Sequence, residues 1–431
     1  LERAMQVVEG RVFRGGALRR EALGIEDGRI VAVGPRLRAD QGRRDFGDRL
    51  ILPGAIDAHV HLREPGMVQK EDFRTGTLAA AFGGVTTVLD MPNTIPPVVD
   101  LRRLSEKWKL VSGRANVDYG FHVGLVPGGD ASRTEGLATA YKVYMAETTG
   151  GLDAGEYSRL GELIAPAARA GKVVVFHAED RALIHPGPAA DLKGHLRCRP
   201  AAAEASAIRT LLDLRRARIH VAHVSSREGL DALGGADLTA EVTPHHLLLD
   251  ISSDLGALGK VNPPLRTRED REALLRAFAA GRIPLLASDH APHTLEEKAE
   301  FEGAPAGMPG VETMVPLLMA LVRRGHLPLE RLIDAFAPRP AAVFGLEGKG
   351  RLEVGMDADL MVVDPSRGQR IRGDDLHSRC GWTAFEGWEA ISPQFVMLRG
   401  EPIVEEGEVV AEGSGRLVAP RGVEGRGQAT A

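Results

Sequence analysis

Cysteine is nearly absent from this chain, with Cys198 and Cys380 the only two. A disulfide framework is therefore excluded, a reducing compartment is the natural expectation, and both residues read as small buried groups. Neither sign of charge prevails: 54 Lys and Arg stand against 59 Asp and Glu, for a net charge of −5. That balance offers no basic field for nucleic acid or an anionic membrane, and small-molecule chemistry is the expectation. No apolar run approaches the roughly 18 residues of a membrane span. The start, Leu1-Glu2-Arg3-Ala4-Met5, runs into a strand-like stretch without the basic start and apolar block of a secretion signal, so the expected location is the cytoplasm.

What is present is an ordinary globular composition, 43% hydrophobic and 26% charged over 431 residues. That length suits one (β/α)8 barrel of about 250 residues with a smaller module beside it. Residues 1–52 read as short strands around turns, with "IEDGRIVAVG" carrying an Asp-Gly turn signal. From Ile51 the texture becomes apolar strand, loop and Ala/Leu/Arg-rich helix in alternation, the mark of parallel βαβ units. Eight strand candidates follow: "AIDAHVHL", "VTTVLDMPN", "DYGFHVGLV", "YKVYM", "VVVFHAE", "IHVAHVSS", "LTAEVTPHH" and "IPLLASDH", with helices such as 201–216 and 268–280 between them. A doubly wound open sheet would also alternate in this way. Polar residues cluster at the C-terminal ends of the strands, however, where a TIM-type barrel keeps its chemistry. After about residue 345 strand-like segments return, so 1–52 and 346–420 are expected to fold together as a small β-sandwich module around a 53–345 barrel, with 421–431 a loose tail.

His59 and His61 are one residue apart on a strand, so both point to one face at the barrel mouth. His177, His223 and Asp289 close the fifth, sixth and eighth strands. A hydrogen-bonded core histidine would explain any of these singly; together, imidazoles and a carboxylate at a solvent-facing mouth suit catalytic zinc. Lys142 lies on the fourth strand, in the gap between them. As an ammonium it would be unfavourable in such a site, whereas burial leaves a neutral amine able to react with carbon dioxide to form a carbamate with two ligand oxygens. A lysine ion-paired at the barrel end is the plainer alternative. His122, His220, His245, His246 and Glu241 also lie on or near strands and receive structural or unassigned roles.

Taken together, "DAHVHLREPG", "MPNT", "KVYMAET", "FHAED", "AHVS", "NPPLR" and "SDHAPHT" resemble the amidohydrolase superfamily and, within it, the dihydroorotases. The later "GMPGVETMVPLL" and "TAFEGWE" are similar to segments of the same family. The resemblance implies a binuclear zinc centre on His59, His61, carboxylated Lys142, His177, His223 and Asp289. It also implies zinc-dependent, reversible cyclisation of N-carbamoyl-L-aspartate to L-dihydroorotate in pyrimidine biosynthesis, with a hydroxide bridging the two metals as attacking group and Asp289 as general base and acid. Arg63, Asn93 and His293 resemble the family's grip on the substrate carboxylate; Asn262 and Gly307 match positions at the pyrimidine ring, and Thr148, or Thr149, a loop contact. Many bacterial relatives bridge with an aspartate instead, for which Asp153 is the only nearby substitute. A homodimer, and association with aspartate transcarbamoylase, are further implications. The competing readings are another cyclic amidohydrolase, such as a hydantoinase or allantoinase, and a catalytically silent scaffold subunit that should have lost metal ligands.

Overall fold

The computed structural model describes residues 5–146, 151–185, 187–214, 217–234 and 238–418. The chain opens with β1 (Gln6–Arg14), β2 (Ala17–Glu26), β3 (Arg29–Gly34) and β4 (Arg43–Pro53). The expected Asp-Gly turn joins β2 to β3: Asp27 and Gly28 take φ of 48° and 78°, the positive pair that a two-residue hairpin turn needs to match strand twist.

From β4 the chain passes directly into the barrel. All eight expected segments contain strands: β5 (Ala55–Val60), β6 (Val85–Asp90), β7 (Asp118–Gly124), β8 (Ala138–Tyr144), β9 (Val173–His177), β10 (Arg218–Val221), β11 (Thr239–Val242) and β12 (Leu285–Leu286). Each pairs in parallel with the next. The ring closes where Val60 bridges His290 and the His61 N–H donates to the His290 carbonyl at 2.7 Å. Both faces of these strands are covered, which is why they read as near-continuous apolar runs.

Helix starts follow side-chain chemistry. Asp72 caps Phe73–Phe82, and Thr267 with Asp270 forms a capping box on Arg268–Ala279, satisfying amide groups that the first turn leaves unpaired. The helix expected over 201–216 is shorter, Ala201–Leu211. Inside the barrel Ile56, Ala58, Leu89, Ala140, Val175 and Leu285 form one apolar cluster with Phe344, which comes from the helix Pro338–Phe344 and helps close the floor.

Beyond the barrel come β13 (Leu360–Val363), β14 (Gln369–Arg370), β15 (Glu389–Ala390), β16 (Phe395–Leu398), β17 (Glu401–Glu405) and β18 (Glu408–Val409). The chain ends do join, in one eight-stranded sheet of order β18-β17-β16-β13-β4-β1-β2-β3. It packs its own cluster, including Val8, Val12, Leu23, Ile51, Leu360 and Phe395. One stretch of 346–420 departs from the expected module. Residues 371–391 leave the sheet and pack on the barrel, because Ile371, Trp382, Phe385 and Ile391 bury their apolar surface in the main core. Trp382 Nε1 there donates to the His293 carbonyl at 2.8 Å, and Arg379 pairs with Asp72.

Sheet and barrel floor are joined by a buried charge cluster. Lys349 Nζ lies 2.5 Å from Asp118, 2.6 Å from Asp359 and 3.0 Å from Asp357, and Arg399 also pairs with Asp118. The tail 421–431 lies outside the described residues, and among those described no helix is long and apolar enough to cross a membrane.

Candidate active site

His59, His61, Arg63, Asn93, Lys142, His177, His223, Asn262, Asp289 and Gly307 all line one cleft at the barrel mouth. Larger hollows exist, such as one at the end of β1 lined by Arg14, Glu330 and Arg339, but the convergent imidazoles are at the mouth. Strand ends explain the convergence: alternation brings every second side chain inward, and the last inward residue of each strand faces the opening.

The histidines form a chain of short contacts. Asp289 Oδ1 lies 3.2 Å from His59 Nε2 and 3.1 Å from His61 Nε2, while His177 Nδ1 and His223 Nε2 are 3.1 Å apart. His59, His223 and Asp289 each offer a ligand atom, all within 4.8 Å of one another. Burial would raise the Asp289 carboxyl, but the facing His59, His61 and His223 outweigh it and hold it well below the usual range. Burial lowers His61 to about 4, against the pull of Asp289. A neutral His61 imidazole beside an ionised carboxylate is the pair of protonation states a metal requires.

Two buried atoms here, Lys142 Nζ and His223 Nδ1, have no hydrogen-bond partner among the described residues. Burial lowers Lys142 to about 8, with Glu241 and Asp289 opposing, and its Nζ sits 5.2 Å from the centre of the Tyr144 ring. Unpartnered nitrogen donors beside a carboxylate are costly as they stand and fit a divalent cation. The backbone is also strained at the site. Arg63, His223 and Asp289 take φ of 60°, 37° and 46°, a conformation that costs a non-glycine residue about 1–3 kcal/mol and clusters where function holds a side chain in place.

On the substrate side, Arg63 Nε donates to the Pro292 carbonyl at 3.2 Å, and Arg63 Nη2 is 3.1 Å from His293 Nε2. Lys70 Nζ donates to His293 Nδ1, while His293 Nε2 has the Ala306 carbonyl as well as Arg63 at 3.1 Å. Burial lowers Arg63 to about 10, still cationic at neutral pH. Gly307 has φ 142°, and a Cβ there would lie 2.4 Å from the Ala291 carbonyl oxygen, so only glycine lets this wall approach. Asn93 has a task the sequence reading did not assign: its Oδ1 accepts the His61 Nδ1–H at 2.6 Å. Asn262 Oδ1 accepts from His195 Nε2 at 3.0 Å. Thr148 and Thr149 lie outside the described residues. Asp153 is away from the cleft, paired with Arg181 at 2.9 Å near the surface.

Sequence reasoning missed several supporting groups. Glu241 accepts from His59, and Glu179 takes His177 Nε2–H at 2.8 Å while pairing with Arg199. Tyr144, two residues after Lys142 on one strand, shares its face. The available signal was a glutamate within an apolar strand, since such a residue is rarely buried unpaired. His246 is structural, taking part in the Thr243 cap and contacting the Pro263 carbonyl.

Comparison with known proteins adds an independent line. Residues 48–151 match the dihydro-orotase-like family model and residues 194–403 the amidohydrolase family model. The dihydroorotase of Methanosarcina acetivorans is 40% identical, the alignment covering 94% of this chain and 95% of the relative. That of Halobacterium salinarum is 41% identical, with 96% and 100% covered. Among solved structures, the L-hydantoinase (dihydropyrimidinase) of Arthrobacter aurescens superposes with a TM-score of 0.90 at 30% identity, over 96% of this chain and 100% of that one. The dihydropyrimidinase of Brevibacillus agri does so at 0.87 and 27%, over 96% and 98%.

Proposed function

This chain belongs to the dihydroorotases of the amidohydrolase family, and on that premise we propose that it interconverts L-dihydroorotate and N-carbamoyl-L-aspartate in pyrimidine biosynthesis. The observation that carries the reading is the buried Arg63 guanidinium, in the same cleft as the converging histidines and Asp289. A fixed cation is matched to a ring that bears a carboxylate, which hydantoin does not.

His59, His61, Lys142, His177, His223 and Asp289 would hold two zinc ions, Lys142 as a carbamate formed when its neutral amine adds to carbon dioxide and releases a proton. Bound there, the metal would supply a polarised amide carbonyl and a water acidic enough to react at neutral pH. Asp289 takes the proton of the attacking water as it adds to the ring amide carbon, and delivers it to the ring nitrogen as the C–N bond breaks. In the biosynthetic direction the steps reverse and water leaves. Arg63, Asn93 and His293 hold the substrate carboxylate, Asn262 and the Gly307 wall flank the ring, and Thr148 is a further substrate contact. Fixing the amide against Asp289 replaces a bimolecular encounter by an oriented one. The proposal extends to a cytoplasmic homodimer, with aspartate transcarbamoylase as a partner.

The hydantoinase reading has the structural neighbours in its favour. Ultraviolet absorbance of L-dihydroorotate during incubation with the zinc-loaded protein decides between them. Loss of absorbance supports the proposal; opening of hydantoin with dihydroorotate untouched overturns it, and zinc binding without opening either ring moves the scaffold reading forward.

A further inference from the structure

Beneath the mouth, the barrel interior holds a second polar layer to which the reaction assigns no task. Glu241 and His220, on β11 and β10, are 1% and 0% exposed, and the His220 ring meets the floor residue Phe344 edge-on at 5.5 Å. Glu241 Oε1 lies 2.5 Å from His59 Nδ1, and Oε2 lies 3.0 Å from His220 Nε2. His220 Nδ1 faces the Thr239 hydroxyl at 2.9 Å.

A carboxylate only accepts, so both imidazoles must present N–H to it. On its other side, His220 Nδ1 is held by the Thr239 hydroxyl, which also lies 3.4 Å from the Ile219 carbonyl. His59, held as the Nδ1–H tautomer, turns its Nε2 lone pair toward Asp289 Oδ1, 3.2 Å away, where a cation would sit. Packing alone would be served by an apolar side chain. What a carboxylate adds is a fixed ring orientation and a more basic imidazole.

We propose that Glu241 is the positioning residue of the metal centre, locking His59 in its Nδ1–H tautomer and, braced by His220 and Thr239, tightening the site's hold on a divalent cation. The proposal rests on the metal-centre reading above.

Glu241→Gln keeps the shape but replaces one acceptor by an amide donor, so one of the two rings must change tautomer, and the carboxylate charge that makes His59 more basic is lost. Two measurements on the full chain test it: zinc affinity by competition with a chromophoric chelator, and imidazole 15N shifts of the metal-free protein, which report the His59 tautomer. The expected result is zinc binding weaker by about 10- to 100-fold, with the 15N signature of His59 or His220 changed and cooperative unfolding retained. If the variant does not fold, the wild-type spectrum still decides, since Nδ1–H on His59 supports the proposal and Nε2–H overturns it. Zinc binding by wild type with an indifferent Glu241→Gln overturns this proposal alone. A wild-type chain that binds no zinc overturns the metal-centre reading and this proposal with it.

Discussion

Lys142 and Lys349 are both buried, 0% and 7% exposed, at opposite ends of one barrel, and their surroundings give them opposite chemistry. Lys349 is enclosed by Asp118, Asp357 and Asp359. Burial works against its charge, but these carboxylates outweigh burial and raise its pKa. Lys142 faces imidazoles, Tyr144 and, among the described residues, no carboxylate within hydrogen-bonding distance, and burial lowers it to about 8. Desolvation is common to both, and the neighbouring charge decides between a structural cation and a reactive amine.

The comparison can be broken most directly at the mouth. Lys142→Met should lower dihydroorotate turnover by about 10³-fold or more, the several kcal/mol that metal assistance supplies, while the thermal midpoint stays level or rises because an unpaired buried amine is gone. A large fall in midpoint would mean that Lys142 is a structural cation after all. Lys349→Met should do the reverse, costing about 3–5 kcal/mol by denaturant titration as the buried Asp118 and Asp359 and the partly buried Asp357 lose the cation they share, with kcat of the folded fraction unchanged.

Arg63→Lys keeps the charge but loses the planar fork. Steady-state kinetics should show kcat/KM reduced by about 10- to 100-fold, one charge-assisted bond of about 1.5–3 kcal/mol. A wild-type value would remove Arg63 from the substrate grip.

The amine character of Lys142 can be read from pH. Its folded pKa of about 8 lies below the ordinary lysine value, so the neutral amine grows as pH rises through 8. At constant dissolved carbon dioxide, the initial rate at which the metal-free chain regains activity with zinc should rise about tenfold per pH unit below 8 and level off above it. A rate falling with pH would contradict a carbamate on Lys142. The smallest effect is expected at Asp153→Asn, which breaks a partly exposed pair with Arg181 worth less than about 1 kcal/mol and should leave activity intact. Loss of activity there would transfer the bridging role from Lys142 to Asp153.

The barrel strands were legible because a parallel strand covered on both faces must be apolar along its length, and "VVVFH" or "AIDAHV" carry that pattern openly. The inward-facing metal candidates were legible from strand alternation and their place at strand ends. The segment 371–391 was not: its short apolar pieces resemble module strands, and only the exposed apolar surface of the barrel draws them away from the sheet. Glu241 also went unassigned, because alternation shows which way a side chain points but not what stands opposite across the barrel.

By itself, then, the sequence determined the barrel, the joining of the two chain ends and the set of imidazoles and carboxylates at the mouth, because periodicity and residue chemistry are local properties. Tertiary structure alone decided which of these touch: His59 meets Glu241 across 182 residues of chain, Asn93 turns to His61, and Lys349 rather than Lys142 receives the carboxylates. Charge state and tautomer follow from distances of a few ångströms between residues remote in sequence, and only the closed barrel sets those distances.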